Sequence, residues 1–215
     1  MIKVMLVDDH DMVRTGLKRL LEDFPDIKVI AEAASGEQAI DLVQTHMPDI
    51  ALMDLSMPGI GGLEATRKLL RTHKDLKIII VTMHNEDIFP QRLLNIGAMG
   101  YVTKEANVQE IVKAIRVVML NKRYISPEIA QQMALAGSQD YKKSPFETLS
   151  ERELQVMLML MDGQKVNAIS EKLCLSPKTV STYRYRLYDK LKVSNDIELA
   201  KMALRHGILD EFSAK

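Results

Sequence analysis

Five short apolar runs, each stopping at a polar residue, constrain this chain more than any other feature of its sequence. Residues 2–7 end at Asp8-Asp9, residues 27–34 at Ser35, residues 50–53 at Asp54, and residues 76–81 at Thr82. Residues 100–103 run into Lys104. Their length, four to eight residues, suits buried strands better than helices. Between them lie stretches of helical spacing. Val13, Leu17, Leu20 and Leu21 share one face, Ser35-Gly36-Glu37 opens a helix through residue 43, and residues 63–70, 88–96 and 108–120 continue the series. Pro58-Gly59-Ile60-Gly61-Gly62 reads as a turn. This alternation predicts an α/β fold: a five-stranded, parallel, doubly wound sheet of the flavodoxin type with helices on both faces. In such sheets the ligand crevice lies beyond the carboxyl ends of the strands, where Asp8, Asp9, Asp54, Thr82 and Lys104 fall.

From residue 149 the pattern is purely helical. Ser150 and Glu153 form a capping box ahead of residues 154–161. Residues 166–173, a helix opened by Ser176-Pro177 and running to residue 191, and residues 197–204 follow, predicting an all-α unit of four helices. Residues 121–146 read as a linker, with a helix from Ser126 to residue 135 and a mobile stretch over 137–145. The expected domains are therefore 1–121, a linker 122–146, and 147–215.

Charge divides along the same line. The whole chain is neutral, yet residues 1–141 carry 16 lysines and arginines against 19 carboxylates, and residues 142–206 carry 12 against 8. An acidic front and a basic back point to different partners. No apolar run approaches the roughly 18 residues of a membrane span, and the start of the chain has no leader pattern, so the expected location is the cytoplasm, without membrane contact. The single cysteine, Cys174, excludes an internal disulfide. Set between Leu173 and Leu175, it is expected to be a small buried apolar residue.

Three carboxylates meeting in one crevice repel one another unless a cation joins them. A hard divalent ion such as Mg²⁺ takes one or two carboxylates and leaves room for phosphate oxygens. Asp54 then suits a nucleophile toward phosphorus, forming an aspartyl phosphate. Lys104 would pair with a phosphate oxygen, and the Thr82 hydroxyl would donate to another.

Asp8-Asp9, Asp54 followed by Met57-Pro58-Gly59, Thr82, and Tyr101 three residues before Lys104 resemble the CheY-like receiver domain of response regulators, over essentially all of residues 1–121. The resemblance implies that Asp54 takes its phosphate from a sensor kinase histidine or a phosphotransfer domain. It implies that Asp9, Asp54 and the backbone carbonyl of Ser56 hold Mg²⁺, with Asp8 assisting. Asp54, Thr82 and Lys104 would be the reactive set, and Thr82 and Tyr101 a switch pair whose aromatic ring turns inward. The chemistry would be limited to self-phosphorylation and autodephosphorylation at Asp54, with no external substrate.

Residues 149–153 (Leu-Ser-Glu-Arg-Glu), 166–170 (Val-Asn-Ala-Ile-Ser), 175–180 (Leu-Ser-Pro-Lys-Thr-Val) and 190–193 (Lys-Leu-Lys-Val) resemble the LuxR-type helix-turn-helix. On its third helix Val180, Tyr183, Leu187 and Leu191 share an inward face. Lys178, Ser181, Thr182, Tyr185 and Arg186 share another, and Lys190 adds charge. Basic and hydroxyl groups on one exposed helix face suit phosphate and base-edge contacts in a major groove. Both halves together resemble the NarL/FixJ class. The runs 54–68, 124–135 and 183–186 resemble one group within it, the GacA/UvrY/SirA/LetA global regulators. That resemblance implies a hybrid sensor kinase with a phosphotransfer domain as donor and double-stranded promoter DNA of small regulatory RNA genes as target; the wider class implies a homodimer on phosphorylation or DNA binding, and RNA polymerase is a further candidate partner. Three rival readings remain at this point. They are a phosphatase acting on external substrates, a DNA-binding protein indifferent to phosphate, and a ligand-sensing regulator, for which this Trp-free chain lacks the usual apolar pocket pattern.

Overall fold

Register explains why distant polar residues converge. In the computed structural model, which describes residues 1–83, 88–136, 144–206 and 208, β1 (Ile2–Val7) pairs with β2 (Ile27–Ala33) on one side and with β3 (Ile50–Met53) on the other. Val7 faces Met53 and Met53 faces Ile80, so Asp8 and Asp54 leave adjacent strands at the same level. β4 (Lys77–Thr82) then pairs with β5 (Gly100–Thr103), Thr82 opposite Thr103, which delivers Lys104 to the same edge.

The sheet is parallel, in the order β2-β1-β3-β4-β5-β6. The sixth strand corrects the expectation of five. Tyr124 and Ile125, read as linker, pair with Gly100 and Tyr101. Tyr124 donates its amide to Met99 and Ser126 to Tyr101, at 2.9 and 3.0 Å, which closes the free edge of β5. Two residues are too few to display a strand's alternation, so no periodic pattern marks this strand.

Helices α1 (Asp11–Glu22), α2 (Gly36–His46), α3 (Gly61–Thr72), α4 (Ile88–Ile96) and α5 (Val108–Met119) fall at the predicted places. Leu21 of α1 and Ile111, Ile115 and Val118 of α5 join Val4, Leu6, Leu52, Ile79 and Val102 in one buried cluster. Burying one such side chain stabilises the fold by about 1.5–3 kcal/mol. Ser35 and Asn107 cap α2 and α5 by accepting amide hydrogen bonds from Gln38 and Glu110.

The chain divides into two compact units, one built from residues 1–83 and 89–135, the other from residues 144–206 and Ile208. The linker helix is α6 (Pro127–Ala136). Most of the stretch expected to be mobile, residues 137–143, lies outside the described residues. In the second unit a 3-10 turn (Pro145–Thr148) precedes α7 (Glu151–Met161), α8 (Val166–Leu173), α9 (Pro177–Leu191) and α10 (Asp196–Arg205). The capping box is present: Ser150 accepts from the Glu153 amide, and the Glu153 carboxylate accepts from the Ser150 amide at 2.8 Å. Phe146, Leu154, Met157, Ile169, Val180, Leu187, Leu191 and Leu199 are buried.

Cys174 departs from expectation. It is exposed and adopts φ 54° as the cap that ends α8. Its neighbour Leu173 is buried, and the left-handed turn carries the next residue away from the core. Among the described residues no helix is long and apolar enough to cross a membrane.

Candidate functional site

Asp54 stands at the tip of β3, 2% exposed. Its Oδ1 accepts a hydrogen bond from the amide of Leu55 at 2.7 Å, and its Oδ2 accepts one from Lys104 Nζ at 2.8 Å. Lys104 also lies 2.6 Å from Asp8 Oδ2, so one ammonium bridges two buried carboxylates. Burial opposes that charge, but the attraction and hydrogen bonds of Asp54 and Asp8 outweigh it and hold the lysine above its ordinary pKa.

The turn beyond Asp54 is fixed by a close approach. A Cβ on Gly62 would lie 1.9 Å from the Asp54 carbonyl oxygen, so only glycine lets the start of α3 pass beneath the site. Glu37 of α2 accepts the Ile60 amide at 3.1 Å and ties the same loop down.

Asp8, Asp9, His10 and Asp54 each offer a ligand atom within 4.8 Å of the others. These residues fit a divalent cation. Asp9 Oδ1 is buried without a hydrogen-bond donor. Burial raises the Asp9 carboxyl above its ordinary value, with Asp54 and Asp8 adding to the rise, while His10 opposes it. A carboxylate that is costly to charge, with an oxygen left over, is suited to a cation. Thr82 and Tyr101 are both fully buried, so the aromatic ring lies inside the fold. Ser56 is exposed on the loop that follows.

On α9 the predicted division of faces is mostly present. Val180, Leu187 and Leu191 are buried, whereas Tyr183 is only half-buried. Lys178, Thr182, Tyr185 and Arg186 are exposed and Ser181 is half-buried, with Tyr185 leaving 73% of its surface open. The Thr182 hydroxyl donates to the Lys178 carbonyl at 2.9 Å. Lys190 differs. Its ammonium lies 2.6 Å from the buried Glu153 carboxylate and donates to the Thr148 carbonyl at 3.0 Å, locking α9 to the start of α7. Arg184, on the same helix, pairs with Asp196 and donates to the Tyr188 hydroxyl.

The family model for the response regulator receiver domain matches residues 4–116, and that for bacterial regulatory proteins of the luxR family matches residues 147–203. The chain belongs to the LuxR-family response regulators. It is 56% identical over 211 residues to the response regulator GacA of Pseudomonas syringae pv. syringae, covering 98% of this chain and 99% of that one. It is 55% identical over 209 residues to the response regulator UvrY of Escherichia coli, covering 97% and 96%. The solved structure of RcsB from Salmonella enterica serovar Typhimurium, bound to promoter rprA in the presence of the phosphomimetic BeF3-, superimposes with a TM-score of 0.75 at 25% identity, over 94% of this chain and 97% of that one.

Three residues beside the receiver site of this response regulator escape a reading of the sequence alone. His10 lies 3.2 Å from Asp8 and 3.1 Å from Asp9. Arg14 donates to the Asp8 carbonyl at 2.6 Å and pairs with Asp11, which pins the loop carrying the acidic pair. Thr103 is buried opposite Thr82. Adjacency to Asp8-Asp9 is the one signal that points to His10. No spacing signal announces Arg14.

Proposed function

We propose that Asp54 accepts a phosphoryl group from a phosphohistidine of a sensor kinase or phosphotransfer domain, and that this modification controls promoter binding by α9. The observation that carries the proposal is Asp54 itself: a buried carboxylate at a strand tip, on the Lys104 ammonium, with Asp8 and Asp9 beside it. An Asp54 oxygen attacks phosphorus, the bond to the donor nitrogen breaks, and the imidazole leaves with the electron pair. Lys104 moves from carboxylate to phosphate oxygen, and the Thr82 hydroxyl donates to another. Asp8, Asp9, Asp54 and the Ser56 carbonyl would hold Mg²⁺, which when bound neutralises charge on the transferred group. The chain's own chemistry is confined to phosphorylation and dephosphorylation of Asp54, and it turns over no external substrate.

Phosphate adds about −1.5 to −2 charges at pH 7 in this pocket. Thr82 and Tyr101, buried in neighbouring strands, would read that charge out. In this reading residues 1–121 receive the signal, 122–146 connect, and 147–215 bind double-stranded DNA as a homodimer in the cytoplasm. DNA contacts fall to Lys178, Ser181, Thr182, Tyr185 and Arg186. Lys190 serves the fold of the helical unit instead, because its charge is engaged by Glu153. The resemblance to GacA and UvrY makes promoters of small regulatory RNA genes the proposed targets, and RNA polymerase a proposed partner there.

The direct test is intact-mass analysis after incubation with Mg²⁺ and a small-molecule phosphodonor. Wild type gains one phosphoryl group and Asp54→Ala gains none. Modification that persists in Asp54→Ala contradicts the assignment.

A further inference from the structure

His10 occupies the position just before α1, where Ser, Asp or Asn ordinarily accept an amide hydrogen bond to cap the helix. Its side chain makes no such bond. It turns back to the acidic pair, placing Nδ1 3.2 Å from Asp8 Oδ1 and 3.1 Å from Asp9 Oδ1. The other Asp8 oxygen and Asp54 Oδ2 are already on Lys104. Of the two oxygens that face the ring, Asp8 Oδ1 accepts the His10 amide at 2.8 Å, and Asp9 Oδ1, which receives no hydrogen bond, is the one left for another cation.

The spacing is informative. Two ligands at right angles around an octahedral ion, with bonds of about 2.1 Å, stand about 3.0 Å apart. The two distances from Nδ1 match such an edge. Asp9 Oδ1 also receives no hydrogen bond although the ring nitrogen is this close. At Asp9 Oδ1 this proximity without a directed N–H suits two lone pairs aimed at one point, whereas Asp8 Oδ1 stands within hydrogen-bond reach of the ring.

We propose that His10 is a direct ligand, through Nδ1, of the divalent ion held by Asp8, Asp9 and Asp54. The receiver site then has a mixed nitrogen–oxygen donor set. Imidazole favours later transition ions, and affinity rises from Mn²⁺ toward Co²⁺ and Ni²⁺. This receiver therefore binds Co²⁺ more tightly than an all-oxygen site would, relative to Mg²⁺. The inference rests on the acidic cluster being the metal site of the proposed phosphoryl chemistry, and it adds a ligand and an ion preference to that site.

The experiment uses the full chain. Calorimetric titration with Mg²⁺ and with Co²⁺ compares wild type, His10→Gln and Asp9→Asn. Pulsed electron paramagnetic resonance on the Mn²⁺-loaded proteins reads nitrogen coupling to the ion. The His10 side chain is 62% exposed, so its replacement leaves the core intact. His10→Gln is expected to weaken Co²⁺ binding by at least about tenfold, since losing even an outer-shell partner of a metal ligand costs that much. Its effect on Mg²⁺ is expected to be smaller, and its nitrogen coupling absent. The chain has five histidines, so the coupling must vanish in His10→Gln, while Asp9→Asn, which removes a proposed ligand, must weaken binding of both ions. If wild type binds Mg²⁺ but His10→Gln binds Co²⁺ as tightly as wild type, or the Mn²⁺ ion shows no nitrogen coupling, His10 is only a hydrogen-bonding neighbour and the inference fails alone. Coupling that survives in His10→Gln comes from another histidine and overturns it equally. If wild type binds neither ion, the metal-site reading falls with it.

Discussion

The end of the sheet and the face of α9 use the same residue types under opposite rules. At the sheet end, lysine and aspartate are buried together, and each is placed by strand register: Val7 against Met53, and Thr82 against Thr103. On α9, lysine and arginine lie on the surface of a helix, where a turn of about 100° per residue separates a free charge from one already engaged. Lys178 and Arg186 are exposed, while Arg184 and Lys190 are tied to Asp196 and Glu153. A parallel sheet thus converts sequence position into geometry, because every strand must end at the same edge. A helix converts it into an angle, and what meets that angle depends on chain far away.

The comparison breaks first if the sheet end tolerates crowding. Gly62→Ala drives a Cβ against the Asp54 carbonyl, and neither backbone can yield cheaply. The expected loss is about 4 kcal/mol or more, in the exceptional range for a single substitution, read as a shift in the urea midpoint. Next, Lys104→Ala leaves Asp8 and Asp54 buried without their shared cation. It should cost about 3 kcal/mol in EDTA and clearly less in Mg²⁺. An equal loss in both buffers would mean that Lys104 acts through packing.

The smallest effects separate the two classes of basic residue on α9. Lys178→Ala and Arg186→Ala should leave stability alone and flatten the salt dependence of DNA affinity, by about 0.9 in the log–log slope for each phosphate no longer neutralised. Lys190→Ala should leave that slope unchanged and cost about 1 kcal/mol of stability. Burial alone would raise the Glu153 carboxyl. The Lys190 and Ser150 hydrogen bonds outweigh it and hold the group below its ordinary 4.5. Its contribution is therefore present above about pH 4.5 and is lost as pH falls through the lowered value. That part of the acid dependence should disappear in Glu153→Gln and weaken in Lys190→Ala.

Legibility followed the same divide. All five main strands, and the convergence of Asp8, Asp9, Asp54, Thr82 and Lys104 at their ends, could be read because apolar runs with polar stops have one arrangement in a doubly wound sheet. β6 could not, since its two residues are fixed by the open edge of β5 rather than by any pattern of their own. The helices of the second unit were legible through Ser150, Ser176 and their apolar spacing. The fates of Lys190, Arg184 and Cys174 were not, because each depends on a distant partner or a left-handed turn that carries no local signature. His10 and Arg14 were hidden for a related reason: the N-terminal turn of α1 sets both against the acidic pair.

The central claim, that Asp54 governs α9, is tested most directly by fluorescence anisotropy on a promoter fragment. Wild type and Asp54→Ala are compared with Mg²⁺, with and without phosphodonor. The account predicts that the donor tightens wild type and leaves Asp54→Ala unchanged. Equal affinity of both proteins under both conditions would contradict it.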